Sequence, residues 1–223
     1  MAGEDRLGRE REGMVEHQIR ARGIEDPAVL HAMLTVPREA FVPEELRERA
    51  YTDAALPIPD GQTISQPYIV ALMAAALRLK PTERVLEIGT GSGYAAAVLS
   101  RIAGEVYTVE RHETLAHAAR ERLNALGYGN VRVAHGDGTL GWPEHAPYDA
   151  ITVAASGPQV PETLRAQLKI GGRLVMPKGS SRIEQKLVRV TRTGEDEYAE
   201  ESLVTVSFVP LIGREGWEDG GET

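Results

Sequence analysis

From residue 84 to residue 176, short runs of aliphatic and β-branched residues alternate with stretches whose apolar positions recur at helical spacing. The runs at 84–88, 105–109, 131–134, 150–153 and 173–176 predict strands, and the stretches near 94–101, 114–126 and 161–168 predict helices. Strands separated by a helix are too far apart in sequence for tight hairpins, so each crosses over and lies parallel to the one before it. Two later runs, 186–192 and 202–210, have no helix between them and predict an antiparallel hairpin that turns through the polar residues 193–197. An apolar helix is expected at 67–77, ahead of the first strand. The pattern predicts an α/β fold: a doubly wound, mostly parallel, seven-stranded Rossmann-like sheet with a C-terminal antiparallel hairpin.

The chain before this alternation reads differently. Residues 14–50 are helical in pattern: one segment ends at Gly23, a second opens with Asp26 as N-cap and Pro27 in the first turn, and a third follows Pro43. Pro57, Pro59 and Gly61 mark 51–61 as a loop into the main body, bordering the expected cleft. This gives a helical cap over 14–60 and a main domain over 61–212. The leader 1–13 and the acidic tail 213–223 are polar, charged and Gly-bearing, and both are expected to fray.

With 223 residues, the chain suits one domain with an appendage. Its 33 acidic and 25 basic residues give a net charge of −8, which disfavours sequence-blind binding to nucleic acid or anionic membranes. Aromatic residues make up only 5%, too few and too scattered for a base-stacking surface. The longest apolar run, 69–77, is half of what a membrane span needs, and the charged start is no secretory signal. The absence of cysteine removes disulfides, thiolate nucleophiles and Cys-ligated metals, and no pair of His has convincing metal-ligand partners. A cytoplasmic protein without a metal, acting as a monomer, is the expectation.

Candidate chemistry begins where the first strand meets its helix. Gly89, Thr90, Gly91, Ser92 and Gly93 follow Glu87 and Ile88 there, the place at which an open α/β sheet binds nucleotides. Glycine lets the backbone approach a ligand, and the helix start offers unpaired N–H groups, although a tight turn without a ligand has the same composition. Glu110 ends the second strand, where a carboxylate can accept from both hydroxyls of a ribose; a solvated acid at a helix start is the plainer alternative. Asp137, between Gly136 and Gly138, follows the third strand and can reach the amine of an adenine, or close an ordinary turn. Gly91 to Ala96 also fits the G-x-G-x-x-A variant of the dinucleotide fingerprint, so NAD competes. Negative charge on Glu87 opposes a pyrophosphate and favours a cationic sulfonium, which points to S-adenosylmethionine.

Further motifs carry a resemblance. Glu87 to Gly93 resembles the first motif of class I S-adenosylmethionine-dependent methyltransferases, and Gln62-Thr63-Ile64-Ser65-Gln66-Pro67 resembles the signature of protein-L-isoaspartate O-methyltransferases. Val36-Pro37-Arg38, Phe41-Val42-Pro43, Ala50-Tyr51 and Leu56-Pro57-Ile58 upstream are similar to that family too. So are His135-Gly136-Asp137-Gly138, Pro147-Tyr148-Asp149, Gly171-Gly172-Arg173-Leu174 and Phe208-Val209-Pro210-Leu211 downstream.

The resemblance implies methyl transfer from S-adenosylmethionine to the free α-carboxyl of L-isoaspartyl residues in damaged proteins and peptides. The ester then closes to a succinimide whose hydrolysis restores some normal aspartyl. It places Ser65 at the active-site position with Thr63 and Ile64 beside it, and puts Glu87, the loop 89–93, Glu110, Arg111, Asp137 and Gly138 on cofactor motifs. The loop after the fifth strand falls at 177–181, where Lys178 is unexpected. An ionised carboxylate needs no strong base, so Ser65 is expected to orient it, with helix capping as its plainer role. The run 206–210 is a candidate to pair with an extended peptide. Rival readings are a methyltransferase of the same fold acting on a dedicated biosynthetic peptide, a non-catalytic S-adenosylmethionine binder, and a nucleic-acid methyltransferase. The last is disfavoured by Ala154-Ala155-Ser156-Gly157 after the fourth strand.

Overall fold

The computed structural model describes residues 2–180 and 184–218. Its centre is a seven-stranded sheet in the order β5-β4-β3-β6-β7-β8-β9. Strands β3 (Arg84–Ile88), β4 (Glu105–Glu110), β5 (Val131–His135), β6 (Tyr148–Val153) and β7 (Leu168–Lys178) are parallel, and β8 (Gln185–Arg192) and β9 (Tyr198–Val206) add antiparallel at one side. The chain winds outward from β3 through β4 to β5, then returns to β6 on the other side of β3. That reversal opens a crevice at the carboxyl ends of β3 and β6.

Neighbouring residues in these strands enter two different cores. Val85, Val106, Ala150, Val175 and Leu187 pack on one face, whereas Leu86, Tyr107, Ile151, Leu174 and Val188 pack on the other. Both faces are covered, so the strands read as continuous apolar runs rather than alternating ones.

Helix α3 (Pro67–Leu77) lies on the first face. Its C-terminal carbonyls, which have no partner within the helix, are met by guanidinium groups from the sheet. Arg173 of β7 donates to Leu77 O at 2.7 Å and Arg78 O at 2.8 Å, and Arg189 of β8 donates to Ala76 O at 3.0 Å. The far end of α3 is thereby fixed, and its first turn stands at the crevice.

In the cap, Gly23 terminates the first helical run in a left-handed conformation (φ 88°). Asp26 caps helix α2 (Pro27–Thr35) by accepting from Ala28 N at 2.9 Å and Val29 N at 3.3 Å. The segment after Pro43 is 3-10 helical over Glu44–Arg49. Arg38, fully buried, donates to Ala50 O at 2.7 Å and lies 4.8 Å above the ring of Tyr94, the first residue of helix α4 (Tyr94–Ser100). The cap is thus bonded to the helix that follows the glycine loop.

Four expectations change. The leader forms helix α1 (Ala2–Gly13), where Leu7 packs on the core and Arg6 pairs with Glu48 at 3.1 Å. Residues 56–57, within the expected loop 51–61, pair with 63–64 in a small ladder, β1 (Leu56–Pro57) with β2 (Thr63–Ile64). Strand β7 starts at Leu168, because the register slips between Tyr148 and Ala150 and residues around Gly171 (φ 81°) bulge out before pairing resumes at Arg173. The final strand lies at 198–206, with 207–210 leaving the sheet. There the Gln185 side chain substitutes for the ladder, accepting from Phe208 N at 2.7 Å and donating to Phe208 O at 3.0 Å.

Replacing Asp26 by Ala frees two N–H groups at the start of α2 and is expected to cost about 1 kcal/mol, read from the midpoint of a urea melt. An unshifted midpoint would show that the cap adds nothing to stability.

Candidate active site

The loop after β3 is held open by backbone geometry. Gly89, Gly91 and Gly93 all have positive φ. Gly93 (φ 89°) is the N-cap of α4, and a Cβ there would stand 3.2 Å from Leu123, so a larger residue would be strained and crowded at once. Bonds beyond the strands continue the sheet into the loops: Gly89 N to Val109 O at 2.8 Å, Ala154 N to Ile88 O at 2.8 Å and Gly136 N to Glu110 O at 2.9 Å.

Glu110, at the end of β4, is 4% exposed. Its two oxygens accept from Gly91 N at 2.8 Å and His112 N at 3.0 Å. Each carboxylate oxygen retains a lone pair, so the group holds the glycine loop and can still accept from a bound hydroxyl. Thr90 and Thr108 share a 2.6 Å hydroxyl contact, and Thr108 donates to Glu87 at 2.6 Å.

Glu87 corrects the electrostatic expectation. It is fully buried behind the loop, and its Oε1 has no partner among the described residues. Burial pushes its carboxyl up to about 8; the negative charge of Glu110 adds to this, and the Thr108 hydroxyl opposes it. At neutral pH Glu87 is mainly protonated, so it does not supply the charge the sequence argument assigned to it.

A cleft of about 990 Å³ runs along this edge of the sheet. Thr63, Ile64, Ser65, Gly89, Thr90, Gly91, Ser92, Glu110, Arg111 and Gly138 all line it. Glu87, Gly93 and Asp137 do not. Asp137 stands beside the cleft: its Oδ1 accepts from Thr139 N at 2.9 Å and Thr139 Oγ1 at 2.7 Å, and its Oδ2 accepts from Arg214 N at 2.8 Å. Residues 213–218, expected to fray, are therefore bonded into the fold; the rest of the expected tail lies outside the described residues.

Ser65 follows β2 directly. The N-cap of α3 is Gln66, so helix capping does not account for Ser65. Lys178 lies on β7 and pairs with Glu200 on the neighbouring hairpin, and residue 181 of the loop expected there lies outside the described residues.

Arg22, Asp53 and Tyr68, which no sequence motif marks, also line the cleft, as does Gln66 of the signature. Arg22 lies 3.6 Å over the ring of Tyr68 and pairs with Asp53 at 3.0 Å, while Gln66 Nε2 donates to Asp53 at 2.8 Å. Arg22, Asp53 and the neighbouring Gln66 and Tyr68 come from three separate stretches of the chain, and no local pattern joins them. The backbone groups of Phe208 are satisfied by Gln185, and Val209 O accepts from Ser156 N at 2.8 Å. Phe208 N, Phe208 O and Val209 O are therefore already bonded within the chain and not free to pair with an added peptide strand.

The donor set fits an S-adenosylmethionine-sized ligand: a flexed glycine backbone, a buried carboxylate with spare lone pairs, and room beyond a nucleoside. Comparison with known proteins decides between this and a dinucleotide. The family model for protein-L-isoaspartate(D-aspartate) O-methyltransferase matches residues 9–216. The chain belongs to the protein-L-isoaspartate O-methyltransferase family. A protein-L-isoaspartate O-methyltransferase 2 from Pelobacter propionicus is 64% identical over 207 residues, 93% of this chain and 92% of the relative. One from Rhodopseudomonas palustris is 64% identical over 205 residues, 92% and 94% of the two chains. A solved protein-L-isoaspartate O-methyltransferase superposes with a TM-score of 0.82 at 32% identity, covering 92% of this chain and 67% of the other. A Plasmodium falciparum structure, described as a complex of this enzyme type with S-adenosyl-L-homocysteine, gives 0.77 at 27% identity over 91% and 98%. S-adenosylmethionine is the co-substrate of this methyltransferase.

Two predictions follow from the carboxyl groups. Glu110→Ala should weaken S-adenosylmethionine binding by about 1–3 kcal/mol in calorimetry, since the group is placed to accept charge-assisted bonds; unchanged affinity rules out a ribose contact. For Glu87 the folded-state value near 8 exceeds the unfolded value of about 4.3, so the native state keeps a proton that the unfolded chain has lost. Its contribution to stability is complete below the unfolded value and is lost as pH rises through 8. The stability of Glu87→Gln relative to the wild type should therefore grow from pH 5 to pH 8.5, by at most about 1.4 kcal/mol per pH unit in denaturant melts. A gap independent of pH contradicts the assignment.

Proposed function

We infer that this cleft methylates the α-carboxylate of L-isoaspartyl residues in proteins and peptides, with Ser65 orienting the acceptor and Glu110 holding the co-substrate ribose. The observation that carries the residue roles is the continuity of the cleft. Glu110 and the glycine loop line one part of it, and Thr63 to Ser65 and 204–210 line another.

Bound S-adenosylmethionine supplies an electrophilic methyl group on a sulfonium. A carboxylate oxygen of the acceptor forms the new C–O bond as the C–S bond breaks, and the electron pair leaves with sulfur as a neutral thioether. No proton moves, because the acceptor is already ionised at neutral pH. The protein's task is alignment and exclusion of water, and alignment alone can be worth an effective molarity of ~10⁵ M. In this reading Ser65, just ahead of α3, donates its hydroxyl to the acceptor, and the fixed C-terminus of that helix limits its travel. We take the chain to be a cytoplasmic monomer that engages neither nucleic acid nor membrane; its net charge of −8 supports this, and no described helix is long and apolar enough to cross a membrane.

Transfer of labelled methyl to an isoaspartyl peptide, set against its aspartyl isomer, tests the activity; equal labelling of the two overturns it. Ser65→Ala should lower kcat by about tenfold or more while leaving the S-adenosylhomocysteine Kd near the wild-type value. Full turnover in that variant removes Ser65 from the mechanism.

A further inference from the structure

Residues 211–217 bond to the loops around the carboxyl ends of β5 and β6. Ser156 O accepts from Leu211 N at 2.8 Å and from the Trp217 indole N–H at 2.9 Å, and the segment closes on itself through Trp217 N to Leu211 O at 2.7 Å. Between these ends, Arg214 N donates to Asp137 Oδ2 at 2.8 Å and Glu215 N donates to Thr139 Oγ1 at 3.1 Å. The Glu215 carboxylate accepts from the N–H of Thr163 at 3.1 Å and from its hydroxyl. One short segment therefore fastens the turn after β5, the loop after β6 and the start of the short helix Glu162–Ala166 to one another. Leu211 and Ile212 themselves line the cleft.

We propose that Gly213 to Trp217 is a positioning clasp which sets the Asp137 carboxylate for recognition of the adenine amine of the co-substrate. The inference rests on the reading of Asp137 as the adenine acceptor. An ionised carboxylate offers about four acceptor positions. Thr139 fills two of them and Arg214 N a third, leaving one for a single N–H of an exocyclic amine. The same three bonds fix the rotation of the carboxylate, so that remaining position points in one direction only. Gly213 is part of the device: a Cβ there would stand 2.1 Å from Asp137 Oδ1, and the carboxylate, at the free end of its side chain, would be driven aside. Arg214, Glu215 and Trp217 are positioning residues; none of them needs to touch the ligand.

The distinctive consequence is base specificity. S-inosyl-L-homocysteine differs from S-adenosyl-L-homocysteine by a carbonyl in place of the amine, which sets an acceptor against the carboxylate. The wild type should bind the adenosyl compound on the order of tenfold or more tightly, the worth of one charge-assisted hydrogen bond together with the cost of the mismatch. Calorimetry of both ligands with Gly213→Ala should show that preference reduced about tenfold, with thermal melting confirming a folded protein. Trp217→Ala opens the clasp from its other end without placing an atom beside Asp137, and it carries the same expectation if Gly213→Ala does not fold. Asp137→Asn separates the two layers of the inference. If Asp137→Asn loses the preference while both clasp variants keep it, the clasp is overturned and the adenine contact stands. If the wild type and Asp137→Asn discriminate equally, the adenine contact falls and the clasp's role falls with it. A merely structural segment would weaken both ligands alike and leave their ratio unchanged.

Discussion

The carbonyl end of helix α3 is the constraint on which the cleft depends. A helix laid on a sheet must find partners for its last carbonyls, and here Arg173 and Arg189 reach from β7 and β8 to supply them. A planar guanidinium serves two acceptors at once and is repelled by neither the helix dipole nor the adjacent Glu83, with which Arg173 also pairs at 2.8 Å. The small β1–β2 ladder runs into the first turn of α3, with only Ser65 and Gln66 between them. The cap packs against the same helix through Met14, Val15 and Met33 in the shared core. A shift of α3 along its axis would move Ser65, the ladder and the cap together, so the bonds at the far end of the helix set the position of the chemistry.

Legibility in the sequence followed the physics of each element. Strands β3, β4 and β6 are plain because burial on both faces makes them largely apolar runs between helices, and β5, at the sheet edge, shows only as a short Val-rich run. The β1–β2 ladder was hidden: each strand is two residues long, and Pro57 argues for a loop. Strand β9 was placed too late because its first residues, Tyr198 to Ser202, are an exposed edge carrying Glu200 and Glu201, with no apolar period to mark it. The glycines and charges of 213–218 point to fraying. The segment's bonds are largely made by backbone groups, which composition does not report, although a lone Trp217 in a polar stretch was a signal that something there is packed.

In the site, spacing alone placed the glycine loop and Glu110 at the crevice, because the end of a parallel strand is a fixed address. Charge state was not legible. Glu87 and Glu110 both end strands in the sequence, yet one is enclosed and neutral while the other borders the cleft. The Arg22, Asp53, Gln66 and Tyr68 group was equally hidden, since it exists only once the cap has folded against α3.

The neutral state of Glu87 bears on the reaction. Methyl transfer from a sulfonium to a carboxylate destroys one positive and one negative charge, so the two reactants are more charged than the transition state between them. Any fixed anion beside the cleft stabilises the sulfonium more than it stabilises the transition state, and it therefore raises the barrier while tightening binding. Glu110 is such an anion, but Gly91 and His112 N–H groups already share its charge. A second ionised carboxylate behind the loop would add to the ground-state stabilisation with no return in rate. Burial of Glu87, reinforced by its proximity to Glu110, keeps that group mainly protonated at neutral pH, and it accepts from Thr108, whose hydroxyl also contacts Thr90 of the loop. Exclusion of water by the bound substrates favours the loss of charge that the transfer requires.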